Sequence, residues 1–279
     1  MRAIFIVIFF VLMPYFGFAQ TTSPINTSIP NFSKGRMYFY WGYNRGWFTN
    51  SDIHFKGSNY NFTLKDVVAK DRQSKFAIDP YFKLNKITIP QYNLRVGYYL
   101  TENWDISFGI DHMKYVVQQN QIVDINGYIH DTPSNYNADY FHNDIQLTDD
   151  FLKFEHTDGL NYVNVEVRHS NLLFDFNKVK ISLNEGVGVG FLYPRTNTTL
   201  LGQQRHDDFH VAGYGIGGVV GARVAFFNKF FIQSEFKGGY INLPDIETTY
   251  SKSDKAYQTF FFSQLNIVFG GMINLRKKS

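Results

Sequence analysis

The chain has 279 residues, a formal net charge of only +3, and no cysteine. Scattered basic residues and so mild a balance exclude a nucleic-acid-binding surface, and the missing cysteines exclude a small disulfide-stapled secreted module. Aromatic residues, 29 Phe and 19 Tyr among them, match charged residues at 18% each. With mean hydropathy at −0.25 and no internal run near the ~20 apolar residues of a spanning helix, a transmembrane β-barrel accounts for them better than a soluble core does.

The N-terminus reads as a targeting segment. Met1-Arg2 precedes the apolar run 3–13, and Gly17-Phe18-Ala19-Gln20 places small residues at −3 and −1 of a cut after Ala19. The pattern predicts a secretory signal peptide over residues 1–19, with no cysteine at the cut to take a lipid. Residues 20–35, with Pro24 and Pro30, are expected to form a flexible lead-in. Residues 36–279 are then the barrel domain.

From there the chain alternates with period two. The first strand, 36–47, sets Met37, Phe39, Trp41 and Tyr43 against Tyr38, Tyr40, Gly42 and Asn44. Residues 50–85 read as a large polar loop with a local hairpin around 60–68. The second strand, 87–100, sets Tyr92, Leu94, Val96 and Tyr98 against Asn93, Arg95, Gly97 and Tyr99. After a tight turn at 101–103 comes the third, 104–117, with Trp104, Ile106, Phe108 and Ile110 opposite Asp105, Ser107, Gly109 and Asp111. Residues 118–159 form a second long polar loop. The fourth strand spans 160–169 and the fifth 179–192, where Glu185 falls on the oily parity and marks a bulge or an error of phase. A medium loop, 193–208, leads to strand six at 210–226. Strand seven spans 230–242, a last loop 243–258, and strand eight 259–275.

Eight strands joined by alternating long and short connections put both ends and the three tight turns on one side. That is the plan of an outer-membrane barrel, with short periplasmic turns and longer outward loops. The expected class is therefore all-β: a transmembrane antiparallel β-barrel of about eight strands. A soluble lipocalin-like barrel would reverse the facing, and strand periodicity alone does not separate the two.

If the oily face meets lipid, the lumen carries Arg95, Asp105, Asp111, Glu166, Arg168, Arg223, Glu235 and Lys237. Both signs occur, so the expectation is an ion-pair network filling a lumen only just wide enough for side chains. The alternative is a small pocket. Gly186, Gly188, Gly190, Gly213, Gly215 and Gly217 make a smooth patch on two strands, across which Tyr38, Tyr40 or Tyr99 could lie, or which could leave room for an acyl chain.

Chemistry is harder to find. Arg168-His169-Ser170-Asn171 resembles the His-x-Ser-Asn pattern of outer-membrane lipid A deacylases, which implies a His base and a Ser nucleophile. Here the two are adjacent, and adjacent strand residues face opposite ways. The loop residues His130, Asp131, Asp139, His142, Asp144, Glu155, His156 and 205–210 could hold a divalent cation or lipopolysaccharide phosphates, but no fixed ligand spacing appears. A solvated polar surface is the plainer reading, with no metal and no cofactor. Asn61-Phe62-Thr63 and Asn197-Thr198-Thr199 match the glycosylation sequon, a pattern common by chance.

The whole mature chain resembles the small eight-stranded outer-membrane barrels of Gram-negative bacteria, the OmpA-like, OmpX-like and OmpW-like group. Ile89-Pro90-Gln91-Tyr92-Asn93 with Arg95-Val96-Gly97-Tyr98, then Asp111-His112-Met113-Lys114-Tyr115 and Glu155-His156-Thr157-Asp158-Gly159-Leu160-Asn161-Tyr162, look like an uncharacterised family of such proteins. The resemblance implies the barrel and an outer-membrane location. Its implied partners are outer-membrane lipid, lipopolysaccharide and the barrel-insertion machinery, with no nucleic acid and a monomeric state. The expected role is non-enzymatic: structural, adhesive, or binding or passing a small apolar ligand. A lipid A-modifying enzyme or a narrow pore is the alternative. One departure is the C-terminus, Asn274-Leu275-Arg276-Lys277-Lys278-Ser279, where such barrels often end on an aromatic.

Overall fold

The computed structural model describes residues 34–83 and 85–275; the predicted signal peptide lies outside the described residues, as does most of the lead-in. Its strands are β1 (Arg36–Phe48), β2 (Ser51–Lys56), β3 (Tyr60–Val67), β4 (Ala69–Asp71), β5 (Tyr92–Tyr99), β6 (Trp104–Asp111), β7 (Tyr115–Val117), β8 (Ile122–Ile129) and β9 (Ala138–Gln146). They continue with β10 (Leu152–His156), β11 (Tyr162–Asp175), β12 (Val179–Leu192), β13 (Arg195–Leu200), β14 (His206–Phe209), β15 (Gly213–Phe226), β16 (Phe230–Glu247) and β17 (Lys255–Asn274).

Eight long strands pair antiparallel in the order β1-β5-β6-β11-β12-β15-β16-β17, and β17 closes on β1 from Arg36–Asn274 to Phe48–Phe262. A closed sheet offers no unpaired edge to lipid. Followed sideways, the pairing runs Met37, Tyr98, Ile106, Val167, Val187, Gly218, Gly238, Ser263. It returns to β1 at Trp47, ten residues beyond its start. That stagger over eight strands tilts each by about 40°.

The alternation settles the facing. Phe108, Val187, Ile216 and Phe269 are more than half exposed, whereas the inward Arg95, Glu166, Arg168 and Glu235 are at most 2% exposed. The oily side is out and the charged side in, the reverse of a soluble barrel. Both described ends and the turns at 100–103, 176–178 and 227–229 share one rim. Gly35, placed in the lead-in by sequence, is already docked there: its N–H donates to Tyr99 O at 2.9 Å.

The strand bounds differ from expectation where the chain leaves the wall. The second strand starts at Tyr92 because Pro90 has no N–H for the ladder. The third divides: β6 stops at Asp111, and β7 pairs with β10 and β4 in a separate sheet. β11 extends to Asp175, and β16 and β17 project well beyond the wall.

The larger correction concerns the four long connections, read above as loops with one local hairpin, which is β2 and β3. They fold into a cap. From the outer end of β17 the sheet continues through β2, β3, β8 and β9, and a second sheet runs β14-β13-β10-β7-β4. Their facing sides share one apolar core: Phe55, Phe62 and Ile125 from the first sheet, Tyr115, Phe154 and Leu200 from the second. The same cluster includes Leu160, Tyr162, Leu192, Ile241, Phe260 and Phe262 from the barrel's outer rim. The cap strands are short and polar on their outer face, so the density of Asp and Asn masked the alternation beneath.

Glu185 is no error of phase. Pairing between β11 and β12 is continuous from Tyr162–Leu192 to Leu172–Ser182, and the irregularity falls later, between Leu172 and Phe174. Its carboxylate faces outward.

Candidate functional site

Because i and i+2 share a face, each wall strand delivers its polar residues into the lumen in file. β5 supplies Arg95, β6 Asp105 and Asp111, β11 Glu166 and Arg168, β15 Arg223, and β16 Glu235 and Lys237, all at most 2% exposed. Four cations meet four carboxylates, so the buried set is formally neutral.

Glu166 is the hub. Its Oε1 accepts from Arg95 Nη2 at 2.9 Å and from Lys237 Nζ at 2.6 Å; its Oε2 accepts from Arg168 Nε at 2.6 Å. Arg168 also donates to Glu235, and Lys237 to Asp111. Arg95 spends its remaining donors on Tyr40 Oη and Ser107 Oγ, both at 3.1 Å, and on Asn164 Oδ1 at 2.6 Å. Tyr38 Oη donates to Asp105 Oδ1 at 2.8 Å. Arg223 donates to Tyr99 Oη at 2.7 Å and to Gln233, with its guanidinium 4.3 Å from the Phe231 ring centre. Charge-assisted bonds of this density offset the desolvation that an isolated buried charge would suffer.

The network lies between two apolar layers. Toward the periplasmic rim, Tyr38, Tyr40, Tyr99, Ala225, Phe231, Val268 and Met272 cluster. Toward the outside, Tyr162 and Phe262 pack with ring centres 6.0 Å apart beneath the cap core. The lumen is filled along its length.

The glycine patch therefore opens no pocket. Side chains at Gly186, Gly188 and Gly190 would collide with Arg168, Glu166 and Asn164, which lie across them from β11. Gly215 lies under the Tyr162 ring, Gly217 beside Phe262, and Gly213 against Asn242. Tyr38, Tyr40 and Tyr99 belong to the ionic network instead. Long side chains on the neighbouring strand take up the space that glycine leaves.

The deacylase-like residues do not meet. Ser170 points inward and its hydroxyl donates to Asn184 Oδ1 at 2.8 Å. His169 points outward against Trp104, ring centres 4.7 Å apart. The loop histidines form separate contacts, His130–Asp139 at 3.0 Å and His142–Asp124 at 3.1 Å. Among the described residues no three His, Asp or Glu side chains gather as metal ligands.

The sequence reading put Asn93 and Ser107 on the inward face but counted only charged residues in the network, which also includes Asn93, Ser107, Asn164 and Gln233. It placed polar residues of the cap core such as His156 on a solvated surface. His156 is fully buried; its Nδ1 lies 3.1 Å from Thr196 Oγ1, and burial lowers its pKa to about 3. The Tyr115 hydroxyl accepts from Gln258 of β17, tying cap to barrel, and burial pushes it up to about 12.

Register, facing and lumen together define an outer-membrane-type β-barrel. No family model matches the chain, and no curated protein does. Among solved structures it is similar to small outer-membrane barrel proteins of bacteria. The outer membrane protein OprG of Pseudomonas aeruginosa is 9% identical, with a TM-score of 0.40 over 88% of this chain and 99% of that one. AlkL, solved in lipid bilayers, is 8% identical, with a TM-score of 0.40 over 92% and 98%. Neisserial surface protein A is 12% identical, with a TM-score of 0.32 over 85% and 99%.

Proposed function

We propose that this protein is a closed, non-enzymatic barrel of the bacterial outer membrane, a monomer whose task is to hold its cap outside the cell in a structural or adhesive role. The observation that carries the reading is the lumen: a neutral ionic network fills it, and the cap's apolar core packs onto its outer mouth. Neither a pore nor a route for an apolar ligand fits an interior whose side chains have almost no surface a water molecule could touch. The cap does offer a surface. Its β8–β9 hairpin ends the sheet, with Phe141 80% and Ile122 67% exposed.

Planar-bilayer recording of the purified barrel tests the closed lumen, and no unit conductance steps are expected. Regular steps from the natural protein would make it a pore and overturn the reading. Cells displaying the protein with Phe141→Ser should attach less well to a hydrophobic surface than those with the natural hairpin; equal attachment removes the adhesive role.

A further inference from the structure

Glu185 is an outward carboxylate on a strand whose other lipid-facing residues are apolar, beside the outward His169 and Asn171 of β11. On its own strand the outward neighbours are Leu183, Val187, Val189 and Phe191, between 45% and 68% exposed. An ionisable side chain in such a belt is costly and points to function. The Glu185 side chain is 64% exposed, and its Oε1 lies 3.3 Å from His169 Nδ1. Trp104, His169 and Glu185 occupy one register row. Tilt lifts Glu185 about 6 Å above Trp104, a residue type that marks the membrane interface.

Beside this pair the wall is hollow. A trough of about 880 Å³ runs along it, with Val167, Val187, Val220 and Phe236 as apolar sides. Its floor is Gly218 and Gly238, paired across β15 and β16 and both facing outward. Packing does not demand glycine there: a methyl group would come no nearer than 3.7 Å to another atom at Gly218 and 3.5 Å at Gly238. What the two glycines do is remove side chains from the lipid-facing surface. The acid row lies two residues to the periplasmic side of the glycine row. A phospholipid of the periplasmic leaflet, head down and chains up, has the same polarity.

We propose that this trough holds one phospholipid of the periplasmic leaflet bearing a primary ammonium head group, with an acyl chain over Gly218 and Gly238 and the ammonium on the Glu185 carboxylate. Charge selects that occupant. The Glu185 carboxylate, 64% exposed beside the His169 ring, attracts the ammonium of phosphatidylethanolamine and repels the net negative head of phosphatidylglycerol. The inference rests on the membrane-spanning reading above.

Native mass spectrometry of the full chain, released from bilayer discs holding equal phosphatidylethanolamine and phosphatidylglycerol, tests it. The natural protein should keep phosphatidylethanolamine about tenfold over phosphatidylglycerol, the worth of one charged hydrogen bond. Glu185→Gln should bring the ratio to about one, and Gly218→Leu should strip retained lipid of both kinds. A heat-sensitive shift on gels checks that each variant is a folded barrel. Equal retention by the natural protein, an unchanged preference in Glu185→Gln, or a dimer that covers the trough would overturn the proposal. Failure of the natural chain to insert at all would instead remove the membrane reading beneath it.

Discussion

Glu166→Ala is the perturbation that probes the lumen most directly. Three cations donate to this carboxylate within 2.9 Å. After its removal Arg168 retains Glu235 and Lys237 retains Asp111, while Arg95 is left with Asp111 at 4.0 Å. Deleting one partner of a buried ion pair costs about 3–5 kcal/mol, because the remaining charge stays desolvated. We expect about 4 kcal/mol here, and nearly as much for Glu166→Gln, which keeps the shape and loses the charge. Adding Lys237→Met restores neutrality, so the double variant should lose less than the sum of the singles by at least about 1.5 kcal/mol. Urea unfolding of barrels refolded into lipid vesicles, followed by tryptophan fluorescence, measures these variants and Lys237→Met alone. A loss under about 1 kcal/mol for Glu166→Ala, the worth of an exposed pair, would mean the lumen is wet, and the sealed-barrel reading would fall with it.

Burial of His156 makes the cap sensitive to acid. Its folded pKa is about 3 against an ordinary 6.5, so the unfolded chain takes up the proton first. Cap stability should be level above pH 7 and fall as the pH drops from 6.5 toward 3, by up to about 1.4 kcal/mol per pH unit. Limited proteolysis of the cap at pH 7 and pH 4.5 reads this, and an unchanged difference in His156→Gln would refute the assignment. Among the glycines, Gly97→Ala should destabilise the barrel by about 1–3 kcal/mol, since the new methyl overlaps the buried Tyr38 ring. Gly218→Ala should be within about 0.5 kcal/mol of neutral; equal effects on urea midpoints would show that the two positions were misjudged. Tyr115→Phe removes one of the two acceptors of Gln258 Nε2 at the cap–barrel junction, leaving Ser51 Oγ at 2.8 Å. It should cost about 1 kcal/mol, seen as faster amide exchange in β7; no change in exchange would discount that tie.

Strand number, facing and the identity of the lumen charges are legible in the sequence because alternation is local. Arg95 between Leu94 and Val96, or Glu166 between Val165 and Val167, declares its side of the wall without reference to the rest of the chain. The partners are not legible, since Arg95 and Glu166 lie 71 residues apart. The pairing of β5, β6 and β11, which sets Arg95 opposite Gly109 and Gly109 opposite Asn164, brings them to one level. The cap escaped notice for a related reason. β2 pairs locally with β3 but joins the wall only through β17, about 200 residues on, so its two apolar residues, Ile53 and Phe55, look like isolated members of a polar loop until both sheets stack. The glycine patch and Glu185 turned on what lies across the strand: β11 side chains fill the space inside the one, and an apolar trough opens beside the other. Period sets the side on which a residue stands, while register and closure choose its neighbours, and in this barrel those neighbours decide the chemistry.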